Sequence, residues 1–242
     1  MTVNDQIMFD FVDRPEWSKA MAVFDLETTG LDLREARIVT ACAVEIDQDG
    51  NIAGANKEWL ADPGIEIPVA ASNVHGVTTE IARANGRPAK EVVGELLETL
   101  RGFLARGLPV VAFNAPYDFT ILHYEALRHS LEPIIDPRPV IDPMVMDKFV
   151  DTYRSGKRTL EVASKIYGVA LEDAHNATAD AVAAGRVAQA IAIKYAEKLP
   201  ADLDSLHNSQ IEWSAAQDAS YEKFRRGTTP EFTIQRGWPL KL

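Results

Sequence analysis

The chain has 242 residues, 46% hydrophobic and 25% charged, which is the composition of a folded globular protein and not of a disordered one. Its formal net charge of −11 and sequence pI of about 4.9 exclude a protein that grips long duplexes by broad phosphate neutralisation; any nucleic-acid contact has to be short, local or carried by cations. Cys42, the one cysteine, excludes an internal disulfide framework and a cysteine-built zinc site, and no apolar run approaches the ~20 residues that span a bilayer. The first ten residues do not read as a signal peptide, so the expectation is a soluble cytoplasmic protein with no membrane contact.

Taken in chain order, residues 1–19 have no clear period and read as a short leader. Ala22-Val23-Phe24-Asp25-Leu26 is an apolar, β-branched run that ends in Thr28-Thr29-Gly30, a strand entering a turn. Residues 37–46 predict a second strand, Asp49-Gly50 a hairpin turn, and residues 52–60 a returning third strand. Residues 74–84 predict a short helix with Thr78 as a cap candidate. Over 88–106, Val92, Leu96, Leu97, Leu100, Phe103 and Leu104 recur at helical spacing, with Pro88 near the start and Gly107 after the end. Residues 108–113 predict a short buried strand and 116–128 a second helix. Val140-Ile141 begins another strand, followed by an apolar stretch to Val150; 159–167 and the Ala-rich 177–199 predict further helices.

Three strands followed by alternating helix and strand predict an α/β sandwich with a mixed sheet. From Pro200 the composition turns polar: a helix over 202–226, then a tail over 227–242 that carries Trp238. The expected organisation is a leader (1–19), a main domain (20–199) and a C-terminal helical appendage (200–242) that packs on the core or on a partner.

Chemistry concentrates on carboxylates. Acid-x-acid pairs occur four times (Asp25/Glu27, Glu45/Asp47, Asp47/Asp49 and Asp202/Asp204), close to the number chance supplies, so context has to separate them. Asp25 and Glu27 share one face of the end of an apolar strand, where two partly buried carboxylates repel unless paired or bound to a metal. Asp118 lies in the first turn of a helix, where acids also serve the helix dipole. His175 and Asp180 are five residues apart, about 500° of helix, so His175 belongs to the loop before the helix that carries Asp180. His75 and Glu80 repeat that spacing, which alone is therefore weak. Four carboxylates and a histidine converging on one end of a sheet suit two divalent cations about 3.5–4 Å apart, and all-oxygen ligands favour Mg²⁺ or Mn²⁺.

Val23 to Gly30 (VFDLETTG) resembles the first motif of the DEDDh family of 3′–5′ exonucleases, Asn114-Ala115-Pro116-Tyr117-Asp118-Phe119 the second, and His175-Asn176-Ala177-Thr178-Ala179-Asp180 the third. Asn73 to Thr78 is similar to a family segment that contacts the terminal nucleotide. The likeness covers about residues 20–195 and is greatest to proofreading (epsilon) subunits of bacterial DNA polymerase III. It implies a ribonuclease H-like fold, a three-layer α/β/α arrangement with a mixed five-stranded sheet, and an exonuclease domain over 20–199. It also implies that Asp25, Glu27, Asp118 and Asp180 hold two divalent cations, Mg²⁺ or Mn²⁺, and that His175 is the general base. Thr28, Thr29, His75 and Asn114 would meet the substrate, a single-stranded nucleic acid 3′ end, with a DNA polymerase subunit as a further partner.

Two positions depart from the family pattern: Phe113 stands where many relatives have His, and Tyr117 where Phe is common. The basic loop Arg154-Ser155-Gly156-Lys157-Arg158 is a candidate phosphate contact. The expected activity is release of nucleoside monophosphates from single-stranded DNA. The alternatives are an RNA exonuclease like ribonuclease T or oligoribonuclease, which the motifs do not separate from a DNA enzyme, and a catalytically silent adaptor, which would not require all five catalytic positions to be filled. A Ser-His-Asp hydrolase, a P-loop and a Rossmann site are excluded by the lack of their motifs.

Overall fold

The computed structural model describes residues 14–54, 57–171 and 176–242. Strand β1 (Met21–Thr28) pairs antiparallel with β2 (Ile38–Ile46), which pairs antiparallel with β3 (Lys57–Asp62), so the expected three-strand meander forms. Helices α1 (Val69–His75) and α2 (Thr79–Asn85) lead to the two-residue strand β4 (Arg87–Pro88), which adds parallel to β3. Helix α3 (Ala89–Ala105), strand β5 (Val110–Val111), helix α4 (Ala115–Arg128) and strand β6 (Val140–Ile141) follow. Helices α5 (Pro143–Val150), α6 (Leu160–Tyr167), α7 (Ala177–Lys194) and α8 (Leu203–Arg226) complete the chain. The sheet order is β4-β3-β2-β1-β5-β6, with β1, β5 and β6 parallel.

Period-2 alternation along β1 divides the core in two. Ala22, Phe24 and Leu26 pack against α3 and α4, through Val92, Leu96, Leu100 and Phe119 among others. Met21 and Val23 face the opposite side and pack against α5, α6 and α7, through Met146, Ala163, Ala181 and Val187. The sheet is therefore covered by helices on both faces, as the three-layer expectation requires.

Helix α7 lies close to the sheet because its inner face is small. A Cβ placed on Gly185 would come within 2.5 Å of both Ile46 Cδ1 and Val23 Cγ1. That approach brings the N-terminal turn of α7 over the end of β1.

Several expectations change in detail. Among the described residues the sheet has six strands, not five, because Arg87–Pro88 joins β3 as an edge. The single helix expected over 74–84 is two: Gly76 ends α1 in a left-handed conformation (φ 77°), and the Thr78 side chain accepts from the Ile81 N–H to start α2. Residues 108–113 supply only Val110 and Val111 to the ladder. The apolar stretch after Ile141 is helical, because Asp142 caps it and Pro143 opens it. The helix expected over 177–199 ends at Lys194 and is followed by a 3₁₀ turn, Ala196–Lys198. The returning strand starts at Lys57, and Ile52 makes an isolated bridge to Ile46.

Residues beyond Pro200 pack on the core. Helix α8 lies along β6, the outer strand of the sheet. His207 Nδ1 accepts the Val140 N–H (3.1 Å), Gln210 Nε2 donates to Val140 O (3.1 Å), and Gln210 Oε1 accepts the Asp142 N–H (2.7 Å). Two buried side chains thus complete an edge that would otherwise present unpaired backbone groups. Trp238, from the tail, is buried in the α3–α4 side of the core. At the other end, Trp17 is buried and its indole N–H donates to Pro200 O (3.1 Å), so residues 14–19 also lie on the core. No helix among the described residues is long and apolar enough to cross a membrane.

Candidate active site

Because β1, β5 and β6 are parallel, their C-terminal ends and the N-termini of α4 and α5 meet at one edge of the sheet, the position where open α/β sheets hold ligands. Asp25 and Glu27 come from the last turn of the β1 pleat, on the face shared with Met21 and Val23. Asp180 comes from the first turn of α7, whose cap is the Asn176 side chain accepting from Thr178 N–H (3.0 Å) and Ala179 N–H (3.2 Å). Carboxylate oxygens of Asp25, Glu27 and Asp180 all lie within 4.8 Å of one another.

Asp118, in the first turn of α4, is 2% exposed, and its Oδ1 accepts the Leu26 N–H (3.1 Å). That bond ties the second motif to the backbone between Asp25 and Glu27. The four acids named from the sequence are therefore brought together. His175 lies outside the described residues.

The electrostatics follow from this crowding. Burial, and then the negative charges of Asp118, Glu27 and Asp180, push the Asp25 carboxyl well above the usual range. Glu27 is raised to about 7, by burial first and by Asp180 second. Asp118 is also raised, by burial above all, with Asp142 and Glu27 adding to it and the Leu26 N–H opposing it. Such a set of oxygens is costly as bare anions and fits a hard divalent cation, which removes the repulsion without protons. The sequence expectation of Mg²⁺ or Mn²⁺ thus agrees with the donor set, and Asp25, Glu27, Asp180 and Asp118 are the residues that would hold them.

The expected nucleotide-contact residues are arranged around this cluster in different ways. Thr28 Oγ1, the Tyr117 hydroxyl and Gly30 O form a triangle with edges of 2.6, 2.8 and 2.9 Å, which locks the turn after β1 to α4. Tyr117 uses its hydroxyl for that lock. Thr29 Oγ1 accepts the Arg37 N–H (3.0 Å), and both threonines are buried. Asn114 precedes α4 in a left-handed conformation (φ 68°), makes no side-chain cap, and donates its N–H to Asp142 Oδ1 (3.0 Å). His75 Nδ1 accepts the Val77 N–H (3.2 Å). His75, Val77, Thr40, Glu58, Asn176 and Thr178 line a cleft of about 390 Å³, and Thr40 pairs with Glu27 across the β1–β2 ladder.

In the basic loop between α5 and α6 two arginines turn inward. Arg154 and Arg158 both bind the buried Asp147 carboxylate, Arg158 Nη1 at 2.8 Å, and the Tyr167 hydroxyl donates to the other oxygen at 2.8 Å. Lys157 remains exposed. Cys42 sits opposite Asp25 in the β1–β2 register, fully buried, with its thiol pushed up to about 12 by burial, as a small core residue should be.

Sequence reasoning missed Asp142. It is fully buried, and it accepts from Asn114 N–H (3.0 Å), Ala115 N–H (3.0 Å), Met144 N–H (2.9 Å) and the Trp238 indole (3.3 Å). The Asp142-Pro143 pair was a legible helix start, since a capping acid before proline at the first helical position is a recognised signal. The tie to Trp238, 96 residues away, had no local signal.

Comparison with known proteins places these features. The family model described as Exonuclease (RNase_T) matches residues 22–188. The DNA polymerase III PolC-type of Pediococcus pentosaceus is 29% identical over 165 residues, covering 68% of this chain and 11% of that protein. Its counterpart in Streptococcus sanguinis is 31% identical over 182 residues, covering 75% and 12% respectively. The chain thus spans about a tenth of the length of these polymerases. Among solved structures, E. coli exonuclease I in complex with a dA16 oligonucleotide matches with a TM-score of 0.62 at 16% identity, over 74% of this chain and 42% of that one. The zinc-ion-bound form of the E. coli ExoI–ssDNA complex gives a TM-score of 0.63 at 17% identity, with the same coverage. At these identities the likeness shows the shared fold, the ribonuclease H-like arrangement expected from the motifs.

Proposed function

The chain belongs to the exonuclease family, and from that premise we propose that it is a metal-dependent 3′–5′ exonuclease that hydrolyses single-stranded DNA from its 3′ end and releases nucleoside monophosphates. The observation that carries this reading is the convergence of Asp25, Glu27 and Asp180 within 4.8 Å, with Asp118 tied to the backbone between the first two.

In this mechanism Asp25, Glu27, Asp118 and Asp180 would hold two divalent cations. When bound, Mg²⁺ or Mn²⁺ supplies Lewis-acid polarisation of the scissile phosphate, a more acidic water and charge stabilisation of the leaving 3′ oxygen. His175 would accept the proton of the attacking water on an imidazole nitrogen, since an unperturbed imidazole, with a pKa of about 6.5, suits that task near neutral pH. Thr28 and Thr29, fixed by Tyr117 and by the Arg37 amide, present the turn after β1 to the terminal nucleotide. His75 contributes from the 390 Å³ cleft, and Asn114 from the start of α4. The acidic chain then needs few direct phosphate contacts, because the cations attract the phosphodiester locally.

DNA is favoured over RNA by the polymerase relatives and by the oligodeoxynucleotide-bound structural neighbour. The same relatives support a proofreading or repair role beside a polymerase. Residues 20–199 form the exonuclease domain in this reading, and 200–242 extend its core.

The test uses matched 5′-labelled single strands of DNA and RNA with Mg²⁺ or Mn²⁺. Stepwise shortening of the DNA from its 3′ end, abolished by a chelator and reduced at least ~10³-fold by Asp25→Asn, is expected. Faster shortening of RNA would transfer the site to a ribonuclease. No shortening of either strand by folded, cation-loaded protein would contradict the enzyme reading and favour the silent adaptor.

A further inference from the structure

Helix α4 starts under constraint. Asn114 adopts a left-handed conformation that is uncommon outside glycine, and the first amides of α4 have no partners within the helix. Both needs are met from another element: Asp142 Oδ1 accepts the Asn114 N–H and Oδ2 the Ala115 N–H, each at 3.0 Å. The same Oδ1 accepts the Met144 N–H at 2.9 Å and so starts α5. One fully buried carboxylate therefore fixes the starts of α4 and α5 against each other.

A carboxylate buried this deeply depends on every donor it has. Its donors include one that lies outside the α/β core in sequence, the Trp238 indole N–H, 3.3 Å from Oδ2. Burial raises the Asp142 carboxyl, and the Asn114 amide and then the Trp238 indole hold it down. The Trp238 ring lies 5.0 Å from that of His207, which is itself fixed to β6. The tail touches α4 a second time: the Lys241 N–H donates to Thr120 Oγ1 (2.9 Å), two residues beyond Asp118. Asp118 stands one turn into α4, between the Asp142 contacts at Asn114 and Ala115 and the Lys241 contact at Thr120.

We infer that Trp238, through its indole N–H on Asp142, is a positioning residue for Asp118, and that the tail is thereby part of the active-site scaffold. This rests on the exonuclease reading above, in which Asp118 helps to hold the cations. A misplacement of about 1 Å in such a site can cost up to ~100-fold in rate, so loosening the start of α4 lowers turnover without removing any group that touches substrate.

The test compares the full chain with Trp238→Phe, which keeps an aromatic ring beside His207 but removes the N–H together with part of the bicyclic ring. Three quantities are read: kcat and KM on single-stranded DNA, the affinity for Mn²⁺ alone by calorimetry, and amide hydrogen exchange at Asn114 and Ala115. The variant is expected to lose roughly tenfold in kcat with KM within about twofold, to bind Mn²⁺ several-fold more weakly, and to lose protection at these two amides while α3 keeps its own. A lowered melting temperature with kcat, Mn²⁺ affinity and both amides unchanged would overturn the inference, leaving Trp238 as packing. Should Trp238→Phe fail to fold, Asp142→Asn, which replaces one acceptor oxygen, is read in the same three ways, and unchanged values there overturn it equally. A wild-type chain without nuclease activity would defeat the exonuclease reading instead; the amide exchange and Mn²⁺ affinity would still report on the positioning.

Discussion

Glu27 titrates at about 7 because burial and Asp180 disfavour its charge, and this couples the site to stability. The folded chain holds a proton that the unfolded chain releases at an ordinary carboxylate pKa of about 4.3. The contribution is therefore fully present below pH ~4 and is lost as pH rises through about 7. In a chelator, the melting temperature should fall across that window, with Asp25 and Asp118 acting in the same direction; saturating Mg²⁺ should remove the fall, since cation and proton compete for the same oxygens. A melting temperature indifferent to Mg²⁺ at pH 7 would count against the assignment. For the same reason Asp25→Asn, inactive as a nuclease, should be more stable than wild type without metal, by about 1 kcal/mol or more, as denaturant titration would show. The acids were legible from the sequence because the motifs that carry them are local, and strand period and first-turn position agree with them. Asp142 and the inward turn of Arg154 and Arg158 onto the buried Asp147 were not, because a charge's solvation is decided by residues distant in the chain.

Between elements, the contact that sets the site is α7 on β1 and β2. Gly185 faces Ile46 and Val23 so closely that Gly185→Ala should push the helix outward. The helix-propensity gain of alanine, about 1 kcal/mol, is smaller than the ~1–3 kcal/mol of overpacking against two side chains fixed in the core. We expect net destabilisation of up to about 2 kcal/mol and a loss of turnover larger than for an alanine placed elsewhere on α7, because Asp180 moves with the helix; equal turnover in the two variants would contradict this. The long helices α3, α4 and α7 and the meander followed from apolar period and turn residues. The edge strand Arg87–Pro88 escaped because a two-residue strand exists only by pairing with a neighbour, and the split of the helix over 74–84 because Gly76 breaks a continuous helical pattern through its backbone conformation.

Across the whole molecule, residues 200–242 complete the fold, with His207 and Gln210 closing the β6 edge and Trp238 filling the core. Removing them would leave Val140, Asp142 and an apolar surface without cover, so the truncated chain should aggregate or melt well below the full chain; a soluble truncation with unchanged melting temperature would refute that role. The sequence marked this segment only as a change in composition, since its fit to β6 and α4 is a matter of tertiary register. The central claim is that four carboxylates at the end of β1 form a cation centre. The most direct measurement is anomalous diffraction from crystals of this chain soaked in Mn²⁺. The account predicts manganese peaks bounded by Asp25, Glu27, Asp118 and Asp180, lost in Asp25→Asn; ordered side chains with no manganese among them, or manganese bound only elsewhere, would contradict it.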